Sequence, residues 1–162
     1  MAILSALGLA FAGISVAGRA GGLNYVVKKA DNGPGAQTTI IRKCPAGQHA
    51  SGGGVLGKGS YDQQQINSLE LYDGPDGNQN PDDGWIAVMD NQAAAEVTVK
   101  THAVCSNKAH TYVEGGSVAV SSGQTQTASL SCAADHHAIA GGVHAGGGID
   151  QQNLVRSHPI DT

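Results

Sequence analysis

Alternation of apolar and polar residues is the main periodic pattern in this chain. It is clearest near residue 100, where Val97, Val99, Thr101 and Ala103 alternate with Thr98, Lys100, His102 and Val104. A period of two is typical of a half-buried antiparallel strand, and beyond residue 21 no stretch shows a convincing helical period. The same reasoning, helped by β-branched residues and turn signals, predicts strands at 25–27, 37–44, 49–56, 64–71, 85–89 and 96–105.

One stretch of the sequence occurs twice. Residues 44–55 recur, with substitutions, 88 positions later at 132–143, and about 12 of the 31 aligned pairs in residues 44–74 are identical. An ungapped match of this quality indicates an internal repeat. Val55 and Val143 should then occupy equivalent environments.

The repeat predicts an all-β protein made of two tandem antiparallel modules, sandwich-like or prism-like. The predicted bounds are residues 22–105 for the first module, 106–110 for a joint and 111–162 for the second. In the second module, strands are predicted at 117–120 and 125–132. The counterparts of Trp85 and Cys105 would fall at positions 173 and 193, so the second module is expected to be truncated, without its last third.

Residues 1–21 form an apolar leader. Residues 2–17 carry no charge and are too short for an ordinary membrane span, and they fit the hydrophobic region of a signal peptide with small-residue cleavage sites at 15–17 or 18–20. No Lys or Arg precedes the apolar run, and a buried N-terminal helix is the alternative. The leader predicts a secreted protein whose mature chain has no membrane span.

Composition limits both the core and the partners. Glycine accounts for 24 residues and aromatic residues for only 4%, so the core should be thin, with Trp85 as its bulky anchor. The formal net charge of −4 argues against nucleic acid as the main partner, because phosphate binding needs concentrated Lys and Arg.

Three cysteines are present, and the repeat suggests how they pair. Cys44 closes the second predicted strand and Cys105 the last strand of the same module, so we predict a disulfide between them. Cys132 occupies the Cys44 position of the second module and is predicted to be free. A bond between Cys44 and Cys132 is the rival pairing. A zinc site is disfavoured because the chain has no Cys-x-x-Cys.

Glycines 52–54 remove side chains from both faces of the third predicted strand. We attribute them to packing, since a neighbouring backbone or the Trp85 ring can approach closely only where no Cβ intervenes. A phosphate-binding loop is the alternative, but the spacing of Gly and Lys differs from that motif. No cofactor is predicted.

Two stretches of the sequence resemble metal-binding patterns, and neither leads to a predicted metal site. The first is a histidine cluster, His136, His137, His144 and His158, in which adjacent histidines on a strand would face opposite ways. Only His49 and His137 coincide between the repeats, which favours a framework role. The second is a calcium loop with the rhythm Asp76, Asn78, Asn80, Asp82, where Pro81 and Ala87 stand in place of the glycine and glutamate that the motif needs.

No catalytic residues are predicted. The chain has no Gly-x-Ser-x-Gly nucleophile motif, and Asp82-Asp83 falls in a loop expected to be exposed, where ordinary pKa values do not suit acid–base catalysis.

A longer motif runs through the first module. Cys-Pro-Ala-Gly at 44–47, Gly-Gly-Gly-Val at 52–55, Asp-Asp-Gly-Trp at 82–85, Asp-Asn at 90–91 and Ala-Val-Cys at 103–105 resemble a repeat of uncharacterised secreted bacterial proteins and phage tail-associated proteins. The resemblance implies a compact β module bounded by the two cysteines. It carries over no functional residues.

These patterns favour a non-catalytic extracellular binding or structural module that presents its surface to a polymer, glycan or partner protein. A phage or virion tail appendage is the alternative, and a secreted hydrolase ranks last.

Overall fold

The structure, a computed structural model, describes residues 22–59, 63–78, 80–147 and 153–154. These residues form an all-β fold, which confirms the predicted fold class. Its six strands are β1 (Leu23–Asn32), β2 (Ala36–Lys43), β3 (His49–Gly57), β4 (Gln64–Tyr72), β5 (Gly84–Asn91) and β6 (Val97–Ser106). The predicted leader at 1–21, and His158 of the histidine pattern, lie outside the described residues.

The strands form two antiparallel three-stranded sheets. Sheet A has the order β1-β6-β3, and sheet B has the order β2-β5-β4. Each outer strand is hydrogen-bonded in its sheet only to the central strand, which is β6 in sheet A and β5 in sheet B. Except for β4 and β5, strands that follow one another along the chain lie in opposite sheets. The last two strands of the module therefore hold the other four in place.

Strand β6 shows why the alternating pattern was informative. Val99, Thr101, Ala103 and Cys105 are fully buried between the sheets, and the residues between them are half-buried on the other face. β6 pairs with β1 over all ten of its residues, from Val97↔Asn32 to Ser106↔Leu23. This pairing extends β1 well beyond the predicted residues 25–27, because it satisfies the backbone groups of the polar residues that follow them.

The core contains two small apolar clusters. Trp85, only 1% exposed, packs with Val26, Ala103 and Cys105, while the second cluster joins Ile40, Met89 and Val99. Opposite the indole ring lies Gly53 of β3, where an added Cβ would overlap the Trp85 side chain. The glycine run is thus explained by packing at one position, Gly53, while Gly54 faces open space.

A disulfide joins the two sheets. Cys44, directly after β2, is bonded to Cys105 of β6, with a Cα–Cα distance of 5.7 Å and a sequence separation of 61. This confirms the predicted pairing, and the rival bond between Cys44 and Cys132 is wrong. Cys132 is exposed and free. On the chain-entropy model, closing a loop of this length stabilises the module by about 4 kcal/mol.

A polar layer, which the sequence analysis did not identify, closes the end of the core near the β1–β2 turn. The side-chain amide of Asn91 lies 2.8 Å from the carbonyl oxygen of Asn32, 3.0 Å from that of Gly33 and 2.9 Å from that of Ala95. Asp90, also fully buried, accepts hydrogen bonds from the side chains of Gln37 and Asn67. These bonds compensate for burying polar groups and fix the loops at this end.

Residues 107–147 contain no strand. The strands predicted at 117–120 and 125–132 are wrong, and residues 113–139 are exposed throughout. Outside the six strands, the described part of the chain has one isolated β-bridge, which pairs Val143 with Leu69 of β4. Val143 therefore does not share the environment of Val55, which pairs with Thr101 in sheet A. The physical reason is strand order: outer strands pair only with central strands, and residues 107–147 contain no counterpart of β5 or β6.

The division into modules at 22–105 and 111–162 stays a prediction. In the described part of the chain, no helix is long and apolar enough to cross a membrane.

Candidate functional site

The outer face of sheet A is the most distinctive surface of the first module. Because the odd-numbered residues of β6 point into the core, its even-numbered residues point outward, and the strand register places neighbours beside them. Successive rows across the sheet are Tyr25–Val104–Gly52, Val27–His102–Gly54, Lys29–Lys100–Leu56 and Asp31–Thr98–Lys58. The face therefore changes from apolar at one end, where Ala140 lies against the buried Gly52, to cationic at the other.

The cationic end surrounds an open depression of about 400 Å³, lined by Lys29, Ala30, Asp31, Lys58, Thr98 and Lys100. We call it the lysine depression. Lys29 and Lys100 are direct cross-strand partners, an arrangement that costs free energy when like charges stand opposite each other. Asp31 supplies one negative charge and accepts a long hydrogen bond, 3.4 Å, from the hydroxyl of Thr98. In the described part of the chain, no ion pair neutralises the three lysines.

Apolar side chains lie next to these charges. Leu56 is 53% exposed in the same row as Lys100, and Tyr25 is 49% exposed at the far end of the face. Gly54 between them has no side chain, and an added Cβ would meet nothing within 4 Å. A surface of this kind can contact an extended ligand through apolar groups while the lysines contact its negative charges.

An acidic loop, residues 73–78 and 80–83, lies at the opposite end of the sandwich. Carboxylate oxygens of Asp73, Asp76 and Asp83 lie within 4.8 Å of one another, which is close enough to contact one cation. Desolvation first, and then the negative charges of Asp76 and Asp83, raise the pKa of Asp73 above its ordinary value. Asp83 also accepts a hydrogen bond from the backbone N–H of Gly74, which closes the loop on itself.

The predicted calcium rhythm does not describe this cluster. Asp76 and Asn78 accept hydrogen bonds from the backbone N–H groups of Asn78 and Asn80, so the regular spacing builds consecutive turns. Asp82 does not belong to the cluster, and the expectation that it is exposed is wrong, because it is only 7% exposed. The sequence did not indicate that Asp73 and Asp83 lie close together, because the pairing of β4 with β5, which aligns Tyr72 with Gly84, brings them together.

Asp82 instead fastens the acidic loop to β3. Its carboxylate lies 2.5 Å from Nδ1 of His49, and its carbonyl oxygen accepts a hydrogen bond from the N–H of Ala50 at 2.6 Å. The Tyr112 hydroxyl donates to the carbonyl oxygen of Ala50 at 3.1 Å. Desolvation, followed by the charge of Asp82, raises the pKa of Tyr112 to about 12.

The described histidines of the first metal pattern, His136, His137 and His144, do not come together. His136 contacts the carbonyl oxygen of Ala134, His144 lies 2.6 Å from the carboxylate of Glu70, and His137 is exposed. Within the described ranges, the acidic-loop cluster is the one group of three His, Cys, Asp or Glu side chains close enough to share a metal ion.

Comparison of the chain with protein-family models, with curated proteins and with solved structures gave no match.

Proposed function

We propose that this protein is a non-catalytic extracellular binding module and that the lysine depression holds an acidic polysaccharide. The observation that carries the proposal is the placement of Lys29 opposite Lys100, with Lys58 beside them and no neutralising ion pair in the described part of the chain. Opposed lysines weaken a sheet, whereas a polyanion lying across the strands converts that repulsion into attraction. The disulfide between Cys44 and Cys105 suits an oxidising extracellular compartment.

The shape of the surface favours a polymer over a small anion. The depression is open, so a single small anion would keep most of its hydration, while a chain of carboxylated sugars can contact several lysines at once. Sugar rings also have C–H surfaces that can pack on Leu56, and their hydroxyl groups can pair with Thr98 and Asp31. Nucleic acid fits less well, because no arginine lines the depression and the chain carries a net charge of −4.

Binding to immobilised polygalacturonate, with neutral dextran as the reference surface, tests this proposal. We expect binding that weakens as salt rises and that falls about tenfold in Lys29→Gln/Lys100→Gln, since each exposed ion pair contributes up to about 1 kcal/mol. The matched control is Lys28→Gln/Lys108→Gln, which removes the same charge. Lys28 is suited to this role because it pairs with the buried Thr101 and so belongs to the other face of β1.

Three results would contradict the proposal. They are no binding to polygalacturonate, equal losses in the two double variants, or equal affinity for duplex DNA, which would show non-specific attraction to any polyanion.

A second candidate function is a structural part of a phage or virion appendage. It is favoured by five apolar side chains that are 43% to 63% exposed in the strand-free region, residues 107–147. They are Val113, Val118, Val120, Leu130 and Ile139. Such residues are typical of a segment that becomes ordered in an assembly. Sedimentation over a range of concentrations tests this function: it predicts defined oligomers, and a monomer at every concentration would contradict self-assembly.

A further inference from the structure

We propose that residues 111–147 are an acceptor for a two-strand segment with the sequence pattern of β5–β6, and that the cysteine of that segment bonds to Cys132. The proposal depends on the internal repeat and is independent of the ligand proposed for the lysine depression. It gives a reason for the exposed apolar residues and for the free cysteine.

The turns of residues 111–147 already have the geometry of the first module. In the β1–β2 turn, the N–H of Ala36 donates to the carbonyl oxygen of Gly33 at 3.2 Å, and 88 residues later Gln124 donates to Ser121 at 3.0 Å. In the β2–β3 turn, Gln48 donates to Pro45 at 3.0 Å, and 88 residues later His136 donates to Ala133 at 3.1 Å. Both turns thus recur at the spacing of the repeat.

Backbone dihedral angles show the same correspondence. Gly35 and Gly123, which are 88 residues apart, have φ angles of 63° and 73°. Gly47 and Asp135, at the same spacing, have φ angles of 75° and 64°. Asp135 is the one non-glycine residue with positive φ in the described ranges, and L-residues adopt this conformation at a cost. Its presence at the position of Gly47 indicates that the turn, and not only the sequence, is repeated.

The strand order of the first module shows which pairing partners residues 111–147 do not contain. β1 and β3 are bonded to β6, and β2 is bonded to β5. Residues 111–147 match the β1–β3 part of the first module, whose three strands form no sheet pairings with one another. Within this range Val143 already forms a β-bridge with Leu69 of β4, so the positions open to a docked segment lie before it. The effect on burial is large. Val26 follows Tyr25 as Val113 follows Tyr112, 87 positions later, yet Val113 is 47% exposed and Val26 only 6% exposed.

Cys132 provides a covalent reporter for a docked β5–β6-like segment. Cys44 and Cys132 are equivalent in the repeat, and the partner of Cys44 is Cys105 near the end of β6. A bound β5–β6 segment should therefore bring its own cysteine next to Cys132. If that cysteine carries glutathione as a mixed disulfide, the Cys132 thiolate attacks the peptide sulfur, the new disulfide forms, and glutathione leaves as its thiolate.

The test uses the full chain and a synthetic peptide of residues Gly84–Ser106, prepared as the glutathione mixed disulfide. The control peptide carries Val99→Lys and Ala103→Lys, which place charges at two positions that are fully buried in the first module. We expect coupling of the native peptide to Cys132 at least about tenfold faster than coupling of the control, because docking raises the local thiol concentration. Mass spectrometry after proteolysis identifies the bonded cysteines.

A second readout does not depend on covalent chemistry. In the Cys132→Ser variant, excess native peptide should slow amide hydrogen exchange at residues 117–120 and 125–131, and the control peptide should not. Equal coupling rates for the two peptides, or unchanged exchange in both regions, would overturn the proposal. Neither result would affect polysaccharide binding by the first module, so the two proposals can fail separately.

Discussion

At the scale of single residues, the core depends on one close contact. Trp85 supplies the largest buried side chain, and it can lie against β3 only because Gly53 has no Cβ. Both residues could be selected from the sequence, since a single tryptophan and a glycine run are conspicuous. The sequence did not show which of the three glycines makes the contact, because that depends on the register between β3 and β6.

Replacing Gly53 with alanine should destabilise the module by about 1–3 kcal/mol, because the new methyl group would overlap the indole of Trp85. Gly54→Ala is the matched control, since a Cβ there meets nothing within 4 Å and should cost far less. Trp85→Ala should cost about 3–5 kcal/mol. Urea unfolding measures all three, and equal midpoints for the two glycine variants would contradict the packing.

The acidic loop gives a pH prediction at the same scale. Because the pKa of Asp73 is raised in the folded protein, ionising this carboxyl weakens the fold as pH rises through that pKa, and the penalty is absent below the unfolded value near 3.8. Asp73→Asn should therefore be more stable than the parent at pH 7 and indistinguishable from it at pH 3. Thermal unfolding at both pH values tests this, and an equal or lower midpoint for the variant at pH 7 would contradict it.

At the scale of strands, sequence patterns identified all six strands of the first module but not their neighbours. Alternation in β6 predicted its buried face because a period of two is a local property. The meeting of Lys29 with Lys100, and of Asp73 with Asp83, depends on which strands pair, and no local pattern encodes that choice. The strands predicted at 117–120 and 125–132 failed for the same reason, because propensity cannot replace an absent central strand.

The contact between β4 and the strand-free region, residues 107–147, also requires a glycine, which has no side chain. Gly142 lies against the backbone of Leu69 and Glu70, where an added Cβ would overlap the Leu69 carbonyl oxygen. Gly142→Ala should therefore break the hydrogen-bond pair between Leu69 and Val143 and speed amide exchange at Leu69. Gly141→Ala, where a Cβ meets nothing within 4 Å, should leave that exchange rate unchanged, and equal rates in the two variants would contradict this contact.

At the scale of the whole molecule, a thin core is joined by one covalent link between its sheets. The pairing of Cys44 with Cys105 could be predicted because both cysteines close strands of one module. The polar layer around Asn91 could not be predicted from the sequence, since its partners Asn32, Gly33 and Ala95 come from separate parts of the chain.

Replacing both bonded cysteines, in Cys44→Ala/Cys105→Ala, should lower the free energy of unfolding by about 4 kcal/mol, because the unfolded chain regains the freedom of a long loop. Cys132→Ser should have no measurable effect, since this thiol is exposed and unbonded. Chemical denaturation of the three proteins compares them directly. A parent and double variant of equal stability would show that the disulfide does not support the fold.

The organisation of the described residues into a six-strand sandwich followed by a strand-free region, residues 107–147, can be tested by native-state hydrogen exchange on the unmodified protein. We expect the slowest amides in β5 and β6, which are central in their sheets, and rapid exchange throughout residues 113–139. Protection at 117–120 and 125–132 comparable to that of β6 would contradict this organisation.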